Sequence, residues 1–354
     1  TGRLELEDGI TTDTQTDPVT DLDVTTATQT DIRVNIGGGR NNPVDVFEIV
    51  GPNLTGIANN TTGEIVNINA TTIGHIETMG SVGVARTHTG AAVNPVNVLS
   101  DAYPFSQQRI GVVSGNILSV AAEGAVGNFI VTGAIDTIVA NSDGVIDHTD
   151  GRFDGIAGPI HATDDIAFVQ IGEGVAPAGT GGFVRAGVIS DAVLSTVRNQ
   201  GLGSDIRGTL LGEDGIELIH LTNGSLIDAN VFAVTGDAGV LENQGILTHD
   251  DVASIQNVLI DGGKGGIIGS YFEAPHIGNI RIDGFGVFYS DFFYDHYAGG
   301  NMGDLTTTGI GLVGVEFWGG NNQGDITATG RGGLKDVLEY SSTVRLSENG
   351  ETSD

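Results

Sequence analysis

One short phrase of alternating apolar and polar positions returns along the chain. It reads "IQNVLIDG" (255–262), "IGNIRIDG" (277–284), "MGDLTTTG" (302–309) and "QGDITATG" (323–330). Related phrases stand upstream: "IGHIETMG" (73–80) and "VGNFIVTG" (126–133). Alternation with period two is the signature of a strand that presents one side to a core and the other to solvent. The four later phrases begin 22, 25 and 21 residues apart. A period of that size indicates a solenoid, in which no unit can bury its apolar side alone and each stacks on its neighbours.

The segment after each closing glycine also recurs. "FGVFYSDFF" comes after "IRIDG", "IGLVGVEFW" after "TTTG", "SVGVARTHT" after "IETMG", and a short glycine stretch with "GIIGSYF" behind it after "NVLIDG". Each unit therefore reads as a strand, a glycine corner, a second strand and a loop of variable length. The Asn or Asp ahead of the first strand suits a turn, and stacked Asn side chains can form ladders between coils. In the middle of the chain Gly215, Gly224, Gly236 and Gly245 fall about ten residues apart with strand-like runs between them. Two or three strands per coil match the later period, and a dozen coils at roughly 4.8 Å make a rod about 60 Å long. The expected fold is all-β: a parallel β-helix, or β-solenoid, of roughly 21–25 residues per coil. A β-sandwich is the alternative, because Asn223-Gly224, Asp214-Gly215 and Asp143-Gly144 could close hairpins.

Composition sharpens this picture. The 354 residues include 57 glycines and only two methionines, a usage that disfavours helices. Fourteen bases face 45 acids, a formal net charge of −31. Such a surface repels nucleic-acid phosphates and anionic lipid and attracts cations, so nucleic acid is excluded as an expected partner. With no cysteine there is no disulfide framework. The chain opens at Thr1 without Met, which suggests a processed or excised mature protein. Its longest apolar stretch, "IGLVGVEFW", is far short of the roughly 20 residues that span a bilayer, so no membrane-spanning helix is expected.

In pattern, from about residue 50 to 338, the chain resembles the right-handed parallel β-helix superfamily of pectin-lyase type. It also resembles the β-solenoid repeats of large prokaryotic surface proteins. The resemblance implies a fold and carries no activity with it. The expected organisation is a Thr- and Asp-rich cap strand or arm over 1–49, a solenoid over 50–340 and a polar tail over 341–354. The arm is a candidate for pairing with a neighbouring subunit by strand addition.

Several side-chain groups are candidates for chemistry. Polysaccharide-cleaving enzymes use this fold, and the polygalacturonase pattern is N-T-D, D-D, G-H-G, R-I-K. Thr149 and Asp150 match the first element and Asp164 and Asp165 the second, while the G-H-G is missing and "IRI" lacks the lysine. Paired carboxylates are what glycoside hydrolysis needs, but the set is incomplete and no catalytic residue is assigned. Asp143, Asp147, Asp150 and Asp154 crowd a glycine-rich loop, and calcium, which takes six to eight oxygens, is the cofactor this pattern would fit. The histidines show no metal-ligating spacing; His75 and His220 read as ordinary strand-face residues.

Eleven of the twenty aromatics lie within residues 271–318. In "DFFY" the side chains of Phe292, Phe293 and Tyr294 cannot all face a core. Phe288, Tyr289, Phe292, Phe293, Tyr294, Tyr297 and Trp318 are the candidate interface or sugar-binding residues. Sequons at Asn53, Asn60 and Asn69, with others at Asn59 and Asn223, are candidate glycosylation sites. Taken together, the expectation is a secreted structural solenoid that self-associates into a surface layer, sheath or fibre. The alternatives are a polysaccharide-binding or -cleaving solenoid, with glycans as partners, and a calcium-dependent adhesin.

Overall fold

A computed structural model describes residues 3–5, 10–16, 23–29, 32–37, 46–83, 111–140, 155–172, 183–184, 187–200, 205–233, 253–294, 301–319, 321–322, 324–329, 333–339, 345–348 and 351–353. Among them every regular element is a strand. All strand pairs are parallel except two: Ile10–Thr16 with Asp23–Gln29, and Arg345–Glu348 with Glu351–Ser353. The chain is a β-solenoid with three parallel sheets.

One coil shows the path. Gly266–Ile268 lies in the third sheet, Tyr271–Glu273 in the second and His276–Ile282 in the first. The next coil repeats it with Gly286–Phe288, Asp291–Tyr294 and Leu305–Thr307. The coil after that uses Gly311–Val313, Glu316–Gly319 and Asp325–Ala328. Each strand pairs in register with its counterpart one coil on, as Gly266 does with Gly286 and Gly286 with Gly311.

In-register parallel pairing stacks like positions about 4.8 Å apart, so the apolar residues form continuous columns inside the coil. In the first sheet one column runs from Val34 through Ile57, Ile76, Val120, Ile138, Val169, Val197, Ile219, Val258, Ile280 and Leu305 to Ile326. None of these side chains is more than 5% exposed. Burying each contributes about 1.5–3 kcal/mol. The recurring phrase is this column with its neighbours: Ile255, Ile277 and Met302 stack in line.

Two of the phrases sit differently from expectation. Asn322, one residue before the phrase at 323, pairs with Met302. "VGNFIVTG" lies across another corner: Val126 belongs to the third sheet and Phe129–Val131 to the second. The apolar alternation is the same there, so the pattern alone does not say which sheet a strand joins. The Asn223-Gly224 and Asp214-Gly215 pairs are coil corners, not hairpins. Asn223 has φ 58°, and its N–H donates to Asp261 O of the next coil at 2.8 Å. Asp143-Gly144 lies outside the described residues.

At six of the corners between the third and second sheets one residue takes the left-handed region. Asn128, Asp228, Gly269, Tyr289, Gly314 and Asp336 fill it, with φ between 49° and 63°. Their N–H groups are satisfied along the axis: Asp228 donates to Ile268 O, Gly269 to Phe288 O, Tyr289 to Val313 O and Gly314 to Lys335 O, each at 2.8–2.9 Å. In place of a ladder of stacked Asn amides, a mixed Asn and Asp ladder to backbone N–H groups runs along the first sheet. Asn279 Oδ1 accepts from Asp304 N at 3.2 Å and Asp304 Oδ1 from Asp325 N at 2.9 Å. Stacked positions are 44 residues apart at Val82 and Val126 and 41 apart at Leu226 and Ile267. Register therefore survives large changes in connecting length.

Candidate functional site: an aromatic and carboxylate strip on the second sheet

In the second sheet three short strands present the same motif, an inward phenylalanine flanked by two outward side chains. They are Tyr271-Phe272-Glu273, Asp291-Phe292-Phe293 and Glu316-Phe317-Trp318. Phe272, Phe292 and Phe317 are fully buried and stacked, with ring centroids 4.8 and 5.2 Å apart and planes within 18°. These distances follow from the strand spacing: identical side chains one rung apart have little choice but to stack. Tyr294 also points inward and is fully buried.

The outward positions build the site. Phe232, Tyr271, Phe293 and Trp318 form a row of rings along the axis, with successive centroids 5.8, 4.9 and 5.7 Å apart. The Phe293 and Trp318 planes differ by only 2°. All four rings are partly exposed. Three carboxylates are interleaved with them. The Tyr271 hydroxyl donates to Glu273 Oε2 at 2.9 Å, and Trp318 Nε1–H donates to Glu316 Oε2 at 3.0 Å. Asp291 pairs with Glu316 on the adjacent rung. Burial and the Glu316 charge raise the Asp291 carboxyl above its ordinary value. Burial, with the Glu273 and Asp291 charges behind it, pushes the Tyr271 hydroxyl up, so it stays a donor. The strip is thus a row of rings, tilted by 57° and 34° at the first two steps and parallel at the last, edged with negative charge.

Next to it, at the corner, Tyr289 is 71% exposed, the most exposed of the large apolar side chains among the described residues. It holds a left-handed backbone, which costs a bulky residue about 1–2 kcal/mol. Its ring lies over Gly314 of the next coil, where a Cβ would come within 2.7 Å of Tyr289 Cδ1. Phe288 is partly buried on the outer side of the third sheet, pairing with Ile268 and Val313. Phe285 and Ile310 extend the exposed apolar surface along that edge.

The sequence-derived candidates therefore scatter over several surfaces. Phe293 and Trp318 lie in the strip, Phe288 and Tyr289 beside it, and Phe292 and Tyr294 inside the coil. Tyr297 lies outside the described residues, as do Asp143, Asp147, Asp150 and Asp154. Among the described residues no group of three or more His, Asp or Glu is placed to hold a metal ion. Asp164 and Asp165 are exposed, and Asp165 Oδ1 accepts the Val193 N–H of the next coil at 3.0 Å, a bond between coils. His75 and His220 stand on outer strand faces, His75 Nδ1 2.7 Å from Ser119 Oγ and His220 Nε2 3.0 Å from Asp261 Oδ2. Of the sequons, Asn60 and Asn69 are exposed, and Asn53 is partly buried with its Oδ1 accepting from Thr72 at 2.8 Å. Asn59 is 2% exposed, and its amide holds Thr61, Gly63 and Thr78, so it is closed to modification in the folded state.

Sequence reasoning missed Phe232, Glu273, Asp291 and Glu316. The signal was present: aligning the strands on the buried phenylalanine brings all but Phe232 into the strip.

Among the described residues no helix is long and apolar enough to cross a membrane. Fold and site together define an all-β parallel solenoid with a ring-lined outer face. No family model, curated protein or solved structure matches the chain.

Proposed function

We propose that this protein is a structural β-solenoid of an extracellular surface that stacks end to end into a layer, sheath or fibre. The observation that supports this is the state of the terminal coils. Among the described residues, Arg3–Glu5 and Ile32–Ile36 at one end pair only with Val46–Asn59. At the other end, among the described residues, Leu334–Lys335 and Leu338–Glu339 each have a single neighbour, while the first sheet closes with the antiparallel pair Arg345–Glu348 and Glu351–Ser353. A parallel strand with one open edge is a template for another strand. Because the two ends are different surfaces, joining them is head-to-tail and gives a filament when the rotation does not close. Electron microscopy and sedimentation of the full chain test this. Ordered polymers are expected; single rods at every concentration and ionic strength would sink it.

A second reading, glycan binding, is favoured by the ring row. Pyranose rings present apolar C–H faces that stack on aromatic planes, and carboxylates accept their hydroxyls. Four rings in line along the axis suit an extended saccharide chain. The two readings are compatible, since a filament would repeat the strip.

A further inference from the structure

Resting on the glycan-binding reading, we propose that the strip selects a cationic saccharide, a polymer of amino sugars carrying free ammonium groups. The geometry of both components points there. The ring row from Phe232 to Trp318 supplies a continuous, partly exposed apolar ridge on which the C–H groups of a saccharide chain can pack. Beside the rings, Asp291 and Glu316 stand on adjacent rungs of one outward column, with Glu273 on the neighbouring column. Two carboxylates one rung apart repel each other, and an ammonium group placed between them reverses that repulsion. The same ammonium lies within reach of the aromatic faces, whose negative quadrupole attracts cations within about 6 Å.

The strip carries no base to meet an acidic sugar. Its rungs contribute Asn230, Tyr271, Asp291 and Glu316 in one outward column and Phe232, Glu273, Phe293 and Trp318 in the other. With a net charge of −31 over the whole chain, a uronate polymer would meet repulsion both locally and at long range. A neutral glycan would use the rings and donate hydroxyls to the carboxylates, but it would leave their two negative charges uncompensated. A basic peptide would satisfy the carboxylates by charge alone and leave the ring row unused.

Trp318 is the chain's single tryptophan, so its fluorescence reports the strip directly in the unaltered protein. The experiment titrates four probes at mildly acidic pH: short oligomers of glucosamine, the same oligomers N-acetylated, oligogalacturonate and oligolysine. The glucosamine oligomer should bind roughly tenfold or more tightly than its acetylated form, the worth of one or two charge-assisted hydrogen bonds. That preference should shrink with added salt, a result that needs no variant. Asp291→Asn and Glu316→Gln, both on the outer face, should weaken the glucosamine oligomer more than its acetylated form and so narrow the preference towards equality. Equal binding of the two sugars overturns this inference and leaves glycan binding standing. Oligolysine binding as tightly as glucosamine shows charge alone at work and also overturns it, as does tightest binding of galacturonate. If no saccharide changes Trp318 fluorescence or releases heat, the glycan reading falls too.

Discussion

In the N-terminal coils the second and first sheets are made by single strands. Val46–Asn59 and Ile65–Thr78 each run 14 residues through the corner. In the coils from Gly266 to Ala328 the same path is broken into three short strands, with a left-handed residue at one corner and aromatic side chains inside and out. The outer faces differ as well. Around Gly56 and Ala58 the small side chains leave a notch between Arg33 and Asn35 on one side and His75 and Glu77 on the other. The later coils carry the ring row instead. Yet one aliphatic column, from Val34 to Ile326, passes through both regions without a break in register. The inner column therefore sets the fold, and the outer positions and corners are free to differ, which is where a binding face can be built.

The sharpest way to break this comparison is to remove aromatic volume from inside the later coils. Phe292 is at the centre of the buried stack, between Phe272 and Phe317. Phe292→Ala is expected to cost about 3–5 kcal/mol, more than an Ile138→Val change in the aliphatic column at about 0.5–1.5 kcal/mol. Because each coil contacts only its neighbours, the loss should split the denaturant transition, with the later coils unfolding first. A single, equally shifted transition for both variants would mean that the two regions are one cooperative unit.

Next in size are the glycines that open the third-sheet strands. Gly286 and Gly311 both have φ 114°, and a Cβ on Gly286 would run into the backbone carbonyl of Gly311. That oxygen belongs to the next coil and cannot move without shifting the whole rung. Gly286→Ala should destabilise by roughly 2–3 kcal/mol. Gly56→Ala, where the nearest atom to a new Cβ is 3.9 Å away, should change little. Thermal unfolding of the two variants side by side separates the tight corner from the open notch.

These residues also show how far the sequence could be read. The period, the inward alternation and the glycine corners were legible because each repeats a residue type at a fixed interval. A third strand per coil was allowed for, but its place was not legible. "GIIGSYF" reads as one run, but Gly269 at φ 60° turns it between Ile268 and Tyr271. Strands of two or three residues hold too little alternation to announce themselves, and their corner accepts Asn, Asp, Gly or Tyr alike. The site was half legible for a related reason. Composition exposed the aromatic cluster, but only the register between coils separates Phe293 and Trp318, which face out, from Phe292 and Tyr294, which face in. The carboxylates that complete the strip were lost among 45 acids.

A smaller effect probes that corner. Asn128, Asp228 and Asp336 occupy the left-handed position comfortably, as Gly269 and Gly314 do, whereas Tyr289 is a bulky side chain held there. Asn tolerates this conformation well, and the Tyr289 side chain is mostly in solvent. Tyr289→Asn should raise stability by about 1 kcal/mol, seen as a higher denaturation midpoint. A lower midpoint would show that the contact of the ring with Gly314 outweighs the backbone cost.

The smallest expected effect is electrostatic and belongs to the strip alone. Burial and Glu316 raise the Asp291 carboxyl in the folded protein, so the folded state holds that proton more tightly than the unfolded chain. By linkage, folding is favoured while the group is protonated. That advantage is lost as pH rises from the ordinary carboxylate range through the raised folded value, after which the contribution is flat. Asp291→Asn cannot lose a proton there. Relative to the unaltered protein, the variant should gain stability across that acid window and keep a constant margin above it. Asp291 is only partly buried, so solvent screening keeps the margin small, and it should shrink further in high salt. Melting temperatures of both proteins over a pH series decide the matter. A difference independent of pH would mean that neither burial nor the Glu316 charge raises the Asp291 carboxyl.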